Sequence, residues 1–503
     1  MFIVTAKEMY DIDHYTMHNI GLESVLMENA GRAVSDQMIQ RIAKTDRVFV
    51  FVGGGHNGGD GFVIARTLHN LNYHITVLQV VPDDQLVEET RKQKKLFTNC
   101  GGYVELANCH TLSDRLAEAT VVIDAITGLG IKGQLRSPLD QVVASINQSD
   151  AYVIAVDIPS GLPADEGTSS FIAIQADVTI IIGAIKESAC LPDTASYYGE
   201  WDLVHIGHPP KAFARQQLRW LMDAHQFKQS MPRRTRESHK GDHGRGLMIG
   251  GSHNMPGASA LAVRAALKSG AGLMTVASSE RVTTHIASQC PEAMYIHLPS
   301  DQGELVKSDT LLLEGYDAIA VGVGMGRRQE TGAFVKSIVE TAPCPLIIDA
   351  DGIYHLNTCL DLVKARKHAT IITPHAGEMA RLLGIEIDDL LLKPFYYARQ
   401  LAQTYNMFVV LKGKATIITA PTGEQAVDLT GNPGLAKGGS GDVLTGICLA
   451  MIMQKQSIFQ ALCNACFVHG MSADIQVNQS HSVYDLMATD VIDGIPAVYR
   501  TLL

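Results

Sequence analysis

Residues 48–68 read VFVFVGGGHNGGDGFVIARTL. Alternating valine and phenylalanine give way to a glycine-rich turn, and a helix-like run follows. An apolar strand with no polar alternation must be covered on both faces, which points to a parallel sheet between helices. The same pattern repeats on either side of this stretch. Beside residues 47–52, strands are expected at 74–80, 119–124, 151–157 and 177–182, with helices at 6–19 and 23–42 ahead of the first strand. Residues 208–240 differ: they begin His208-Pro209-Pro210, include Met231-Pro232-Arg233-Arg234 and show no clear strand. This stretch reads as a connector with one helix around 212–221. A second alternating series then opens, with strands expected at 246–249, 273–276, 318–321, 346–348, 370–372, 408–411 and 416–419. Its helices are expected near 258–268, 376–383 and 441–451. The chain is therefore α/β in two domains, each with a site at the carboxyl ends of its strands.

Composition narrows the function. At 503 residues the chain exceeds one ordinary core, and only 18% of it is charged against 46% hydrophobic, which excludes general disorder. Lys plus Arg number 41 and Asp plus Glu 52, a net charge of -11, which argues against a dedicated nucleic-acid binder. No run reaches the ~18 apolar residues of a membrane span. The opening MFIVTAKEMYDIDHY has no cationic start followed by an apolar core, so no signal peptide is expected. Nine scattered cysteines fit a reducing cytoplasm better than a disulfide framework. Cys463 and Cys466 form C-x-x-C inside an apolar run without a second ligand pair, so helix packing is expected of them, and His469 reads as a core or capping histidine.

In the first domain Gly53, Gly55 and Gly58 satisfy G-x-G-x-x-G, a weak signal alone. Such glycines let backbone N–H groups approach a phosphate at a helix N-terminus. The second strand carries no acid at its tip for ribose hydroxyls, so hydride transfer is disfavoured. Two other strand ends, Asp124 before Ala125-Ile126-Thr127-Gly128 and Asp157 before Ile158-Pro159-Ser160, should converge on the same edge. Asn57, Asp124 and Ser160 would supply only oxygen ligands, as hard cations favour. With Met27-Glu28-Asn29-Ala30-Gly31, these motifs resemble the amino-terminal domain of the NAD(P)H-hydrate repair enzymes, the YjeF family. The resemblance implies a Rossmann-like three-layer sandwich over residues 1–210 that epimerises NADHX and NADPHX with a bound potassium ion. It places His56, Asn57, Gly58, Gly59 and Asp60, then Gly128, Leu129, Gly130, Ile131, Lys132, Gly133 and Gln134, on the hydrate. Asn57, Asp124 and Ser160 would hold potassium, and Asp157 would face the substrate. Asp157 is the first acid/base candidate and Lys132 the second.

In the second domain the decisive stretch runs from Gly431 to Asp442, GNPGLAKGGSGD, an anion cradle ending at a helix start with a candidate base. The Walker phosphate loop is absent. Gly-Ser-Gly-Asp at a helix start resembles the ribokinase-like phosphoryl transferases, in which the Asp accepts the attacking hydroxyl's proton. Gly250-Gly251-Ser252, Gly257-Ala258-Ser259, the Gly322–Gly326 turn, Thr373-Pro374-His375-Ala376-Gly377-Glu378 and Lys412-Gly413-Lys414-Ala415-Thr416 follow in order. Together they resemble the carboxyl-terminal dehydratase domain of the same family, a ribokinase-like α/β domain over residues 225–503 joined by a linker at 211–224. The resemblance implies that ADP phosphorylates the S hydrate and leaves as AMP and phosphate. Ala258, Gly324, His375 and Asp442 would contact the hydrate. Lys412, Gly413, Lys414, Ala415, Thr416 and Gly441 would contact the nucleotide, and Glu378 would organise magnesium through water. A homo-oligomer is expected. The competing reading is a ribokinase-like kinase of a vitamin precursor or sugar with an amino-terminal nucleotide-sensing or scaffold domain, which leaves the first set of motifs without a use.

Overall fold

The computed structural model describes residues 1–22, 25–131, 133–214, 216 and 219–503. The chain divides into two units, Met1–Arg219 and Trp220–Leu503. In the first, seven parallel strands lie in the order Val104–Leu106, His74–Gln79, Arg47–Val52, Val121–Ala125, Tyr152–Val156, Val178–Ile182 and Glu200–Val204. The apolar run of Arg47–Val52 serves two cores at once. Val48, Val50 and Val52 join one beside helix Leu26–Met38, while Phe49 and Phe51 join another beside helix Leu139–Asn147. Strand order reverses between Arg47–Val52 and Val121–Ala125, which opens a crevice at their carboxyl ends. A separate strand, Phe2–Val4, runs parallel to Ile185–Lys186 and leads into helix Ala6–Ile20 through a Thr5–Glu8 capping box.

In the second unit Met294–His297, Leu273–Ser278, Arg245–Ile249, Ala318–Val321, Leu346–Ile348, Thr370–Ile372 and Phe408–Leu411 are parallel. Thr416–Thr419 and Gln425–Asp428 add antiparallel strands. Order again reverses, between Arg245–Ile249 and Ala318–Val321. Helices Pro256–Lys268 and Ser440–Ile452 pack against each other so tightly that a Cβ on Gly446 would lie 1.9 Å from the Ala262 carbonyl oxygen. Only glycine admits that approach, and it brings the two helix N-termini to one edge.

The connector differs from the sequence reading. Its helix is a short turn, Pro210–Phe213, and residues 215, 217 and 218 lie outside the described residues. Arg219–Leu221 is a strand in which Trp220 and Leu221 pair with Ala426 and Val427, because a two-residue apolar pair suffices to extend an existing ladder. Helix Ala224–Ser230 follows, its capping box made by Asp223 and Gln226, with Phe227 stacked on Phe467 at 5.0 Å. The expected helix at 23–42 spans Leu26–Met38, and residues 23 and 24 lie outside the described residues. Cys463 and Cys466 lie within helix Ile458–Gln479, and burial pushes both thiols far up, which suits packing and not reactivity. Among the described residues no helix is long and apolar enough to cross a membrane.

Candidate active sites

A cavity of about 760 Å³ occupies the crevice of the first unit. Its floor is the glycine turn: a Cβ on Gly53 would lie 1.8 Å from Ile126 O, and one on Gly58 would lie 2.0 Å from Gly53 O. Glycine therefore lets the turn, the start of helix His56–Asn70 and the loop after Val121–Ala125 nest together. Gly53, Gly54, Gly55, His56, Asn57 and Asp60 line the cavity, as do Gly128, Leu129, Gly130, Ile131 and Asp157. Gly58 and Gly59 are buried in the first helical turn behind it. Gln134 is exposed and bonded to Ser170, and neither it nor Gly133 is part of the lining. Lys132 lies outside the described residues.

Thr127 ties the three oxygen-bearing residues together. Asn57 Nδ2 donates to Thr127 O at 2.8 Å and to Val156 O at 3.2 Å. Thr127 N donates to Ser160 Oγ at 2.8 Å, and Ser160 Oγ donates to Asp124 Oδ1 at 2.5 Å. Asp124 is fully buried and also accepts from Ser160 N at 2.7 Å and Ile126 N at 3.2 Å. Burial raises its carboxyl to about 6, although the Ser160 and Ile126 hydrogen bonds pull it down. Asn57 Oδ1 is buried with no hydrogen-bond partner. An orphaned carbonyl oxygen, linked through Thr127 and Ser160 to a buried carboxylate, fits a cation held by oxygens alone.

Asp157 sits at the tip of Tyr152–Val156 with φ +70°, a left-handed conformation uncommon outside glycine. Its Oδ1 accepts from Ile182 N at 2.9 Å and from Lys186 Nζ, whose side chain is wholly buried. Across the cavity, burial first and then Asp157 and Asp13 push the Asp60 carboxyl well up, while Lys186 opposes them. Lys186 belongs to no motif the sequence offered; its only signal was a lysine directly after the apolar run that ends Ile182-Gly183-Ala184-Ile185.

The second cavity, about 440 Å³, is lined by residues of four chain segments. Asn254 to Ala258 and Leu261 come from the start of helix Pro256–Lys268, Gly324, Ala350 and Asp351 from strand ends, and Gly438, Gly439 and Asp442 from the glycine loop. Gly439, at φ +92°, caps helix Ser440–Ile452 with no side-chain hydrogen bond, and with Gly438 and Asp442 it brings the start of that helix to the cavity wall. Burial and then Asp349 push the Asp442 carboxyl up to about 7; Lys412 opposes this and Asp351 adds to it. Lys412 Nζ donates to Asp349 Oδ1 at 3.2 Å and lies 3.2 Å from where a Gly441 Cβ would be. Burial works against its charge, yet Asp349, Glu378 and Asp442 outweigh that and raise its pKa. Asp349 also accepts from Thr445 Oγ1 at 2.6 Å.

His375 and Glu378 cap helix Ala376–Leu383 reciprocally, Glu378 Oε2 accepting from His375 N at 2.9 Å. Neither lines the second cavity, and Glu378 is a buried oxygen donor of the kind magnesium takes. Lys437 donates to Tyr484 O at 2.6 Å. His469 backs the loop, within 3.1 Å of Ser440 O, and burial holds it near 4 and therefore neutral. Among the described residues no cluster of three His, Cys, Asp or Glu could hold a metal ion.

These two arrangements have close counterparts. Residues 246–497 match the family described as NAD(P)H-hydrate dehydratase, and residues 23–188 match the YjeF-related protein N-terminus. A bifunctional NAD(P)H-hydrate repair enzyme of Moorella thermoacetica is 34% identical over 100% of this chain and 97% of its own. The chain belongs to this family. The Escherichia coli bifunctional NAD(P)H-hydrate repair enzyme is 32% identical over 94% of this chain and 89% of its own. The crystal structure of an ADP/ATP-dependent NAD(P)H-hydrate dehydratase from Bacillus subtilis, co-crystallised with ATP and Mg²⁺, is 33% identical. It covers 56% of this chain and 99% of its own, with a TM-score of 0.50. For a repair-enzyme chain, the residues that sequence reasoning missed are Lys186, Asp349 and Asp351. The two aspartates had a visible signal, since Leu346-Ile347-Ile348-Asp349 repeats the apolar-strand-then-acid pattern of Asp124 and Asp157.

Proposed function

We propose that this chain repairs hydrated NADH and NADPH with two active sites. The first cavity epimerises the R and S hydrates, and the second dehydrates the S hydrate at the expense of ADP. The observation that carries the reading is Asp442, a carboxylate with a raised pKa at a glycine-cradled helix start, lining a cavity and influenced by the partly buried Lys412.

In the second site the hydrate's hydroxyl attacks the β-phosphorus of ADP and Asp442 takes its proton, while AMP leaves. The carbon–oxygen bond then breaks with phosphate departing, driven by the lone pair of the ring nitrogen, and loss of a ring proton restores the dihydronicotinamide. Phosphorylation is needed because hydroxide leaves poorly. The Ser440–Ile452 N-terminus and Lys412 stabilise charge on the transferred group. Gly413, Lys414, Ala415 and Thr416 hold the nucleotide, and Ala258, Gly324 and His375 the hydrate. Glu378 would hold magnesium through water, and the ion would neutralise charge on the phosphates.

In the first site, protonation of the hydroxyl lets it leave as water with the ring nitrogen's help. Water then adds to the opposite face and gives up a proton. Asp60, whose carboxyl is pushed well up by burial and by Asp157, gives the first proton, and the Asp157 carboxylate takes the proton of the incoming water. Asn57, Asp124 and Ser160 would hold a potassium ion, which would supply a fixed positive charge beside the substrate. The buried Asn57 Oδ1 supports this. Domains at 1–210 and 225–503, a homo-oligomeric state and a cytoplasmic setting complete the proposal.

The test supplies hydrated NADH with ADP and magnesium to the full chain and follows the near-ultraviolet absorbance of dihydronicotinamide. The expected result is its return, with AMP formed in equal amount. AMP formation without that return would favour a kinase and contradict the proposal.

A further inference from the structure

Among the described residues Lys186 is the one lysine that is fully buried. Its backbone is fixed in the two-residue strand Ile185–Lys186, where Lys186 lies opposite Val4. Its ammonium donates to Asp157 Oδ1 and, at 3.0 Å, to Ile182 O. Ile182 N donates to the same Asp157 oxygen at 2.9 Å. Both donors therefore hold Oδ1, and Oδ2 is the oxygen left for a ligand in the cavity that Asp157 lines. Asp157 holds this pose in a left-handed backbone conformation, which persists only where the surroundings impose it.

Packing does not account for such a lysine. A buried ion pair is weak evidence for stability, since apolar side chains of similar volume fill the same space as well or better. Several acidic groups surround the pair: Asp13 and Tyr10 on helix Ala6–Ile20 and Asp60 on helix His56–Asn70 all line the same cavity. The buried ammonium of Lys186 is directed at Asp157, while Asp13 meets the buried His208 Nε2 at 2.8 Å.

We propose that Lys186 is a positioning residue for the epimerase. Its buried charge and its hydrogen bonds fix the Asp157 carboxylate, so that Oδ2 meets the incoming water in one orientation. The inference rests on the epimerase reading of this cavity. It also makes Lys186 act on turnover more than on binding, because the glycine turn and the loop after Val121–Ala125 hold the substrate without it.

The test uses the full chain, whose dehydratase serves as an internal control, and begins by showing that the wild type interconverts the two epimers. Failure there would remove the epimerase reading itself, independently of Lys186. Lys186→Gln keeps an amide donor for Asp157 and removes the charge; Lys186→Ala opens a space that a small amine can fill. Lys186→Gln is expected to lower epimerase kcat by on the order of 10²-fold with KM within about threefold, as for loss of an interaction made mainly in the transition state. Ethylammonium is expected to restore at least about tenfold of the rate in Lys186→Ala, and tetramethylammonium, which has no N–H to donate, is expected to restore none. A Lys186→Gln turnover within about threefold of wild type would overturn the assignment. So would a folded Lys186→Ala that ethylammonium does not rescue, and so would loss of the folding transition of the first domain in both variants, which would make Lys186 a structural residue.

Discussion

Asp442→Asn is expected to lower dehydratase turnover by on the order of 10²–10⁴, the range for loss of a general base. The phosphoryl group must sit where the free N–H groups of helix Ser440–Ile452 point, and Asp442 is in the first turn of that helix. Asparagine is nearly isosteric but cannot take the proton of the attacking hydroxyl. The base works only when ionised, and burial with Asp349 nearby raises its carboxyl to about 7. Wild-type turnover should therefore rise with pH through about 7 and level off above it, and the variant should lose that dependence. ADP affinity should change little, because Lys412 and the glycine loop remain, and the epimerase should be unaffected. Turnover within about threefold of wild type, with the pH dependence intact, would remove Asp442 as the base.

Asp124→Ala is expected to abolish epimerase activity in the same chain that keeps its dehydratase. Asp124 accepts from Ser160 N, Ser160 Oγ and Ile126 N in a fully buried setting. Each buried donor left without an acceptor costs about 1–3 kcal/mol, so the loop carrying Thr127 to Ile131 should lose its anchor. Asp124→Asn, which keeps the shape, should retain the fold and lose the dependence on potassium. Epimerisation rates measured in potassium and in tetramethylammonium check both points. Equal wild-type rates in the two salts would remove the cation from the account.

Long β-branched runs made the central strands readable. Ala318–Val321, Leu346–Ile348, Thr370–Ile372, Phe408–Leu411 and Thr416–Thr419 fall where the sequence placed them. The strands it missed are short or carry polar residues. Val104–Leu106 and Glu200–Val204 are edge strands of the first sheet, only partly buried, so neither needs an uninterrupted apolar run. Gln425–Asp428 is buried but reads Gln-Ala-Val-Asp; Gln425 meets its needs by donating to Phe395 O at 2.9 Å, a partner thirty positions away. At the sites, glycine turns and strand-end acids were visible because their chemistry is local in sequence. Lys186 was not, because its meaning lies in a contact with Asp157, 29 positions earlier, across two strands. His375 and Glu378 were visible as residues, but their capping of one another was not drawn from the motif. The signal was there: His-x-x-Glu at a helix start follows the spacing of a capping box.

The central claim is that one hydrated substrate links two sites with separate duties. It is tested most directly by incubating a mixture of the R and S hydrates of NADPH with ADP and magnesium and resolving the epimers by chromatography over time. Wild type should consume both. Asp157→Asn should consume the S hydrate at the wild-type initial rate and leave the R hydrate to decline only at its spontaneous rate of epimerisation. Consumption of both epimers by Asp157→Asn as fast as by wild type, under conditions where spontaneous epimerisation is slow, would contradict the account.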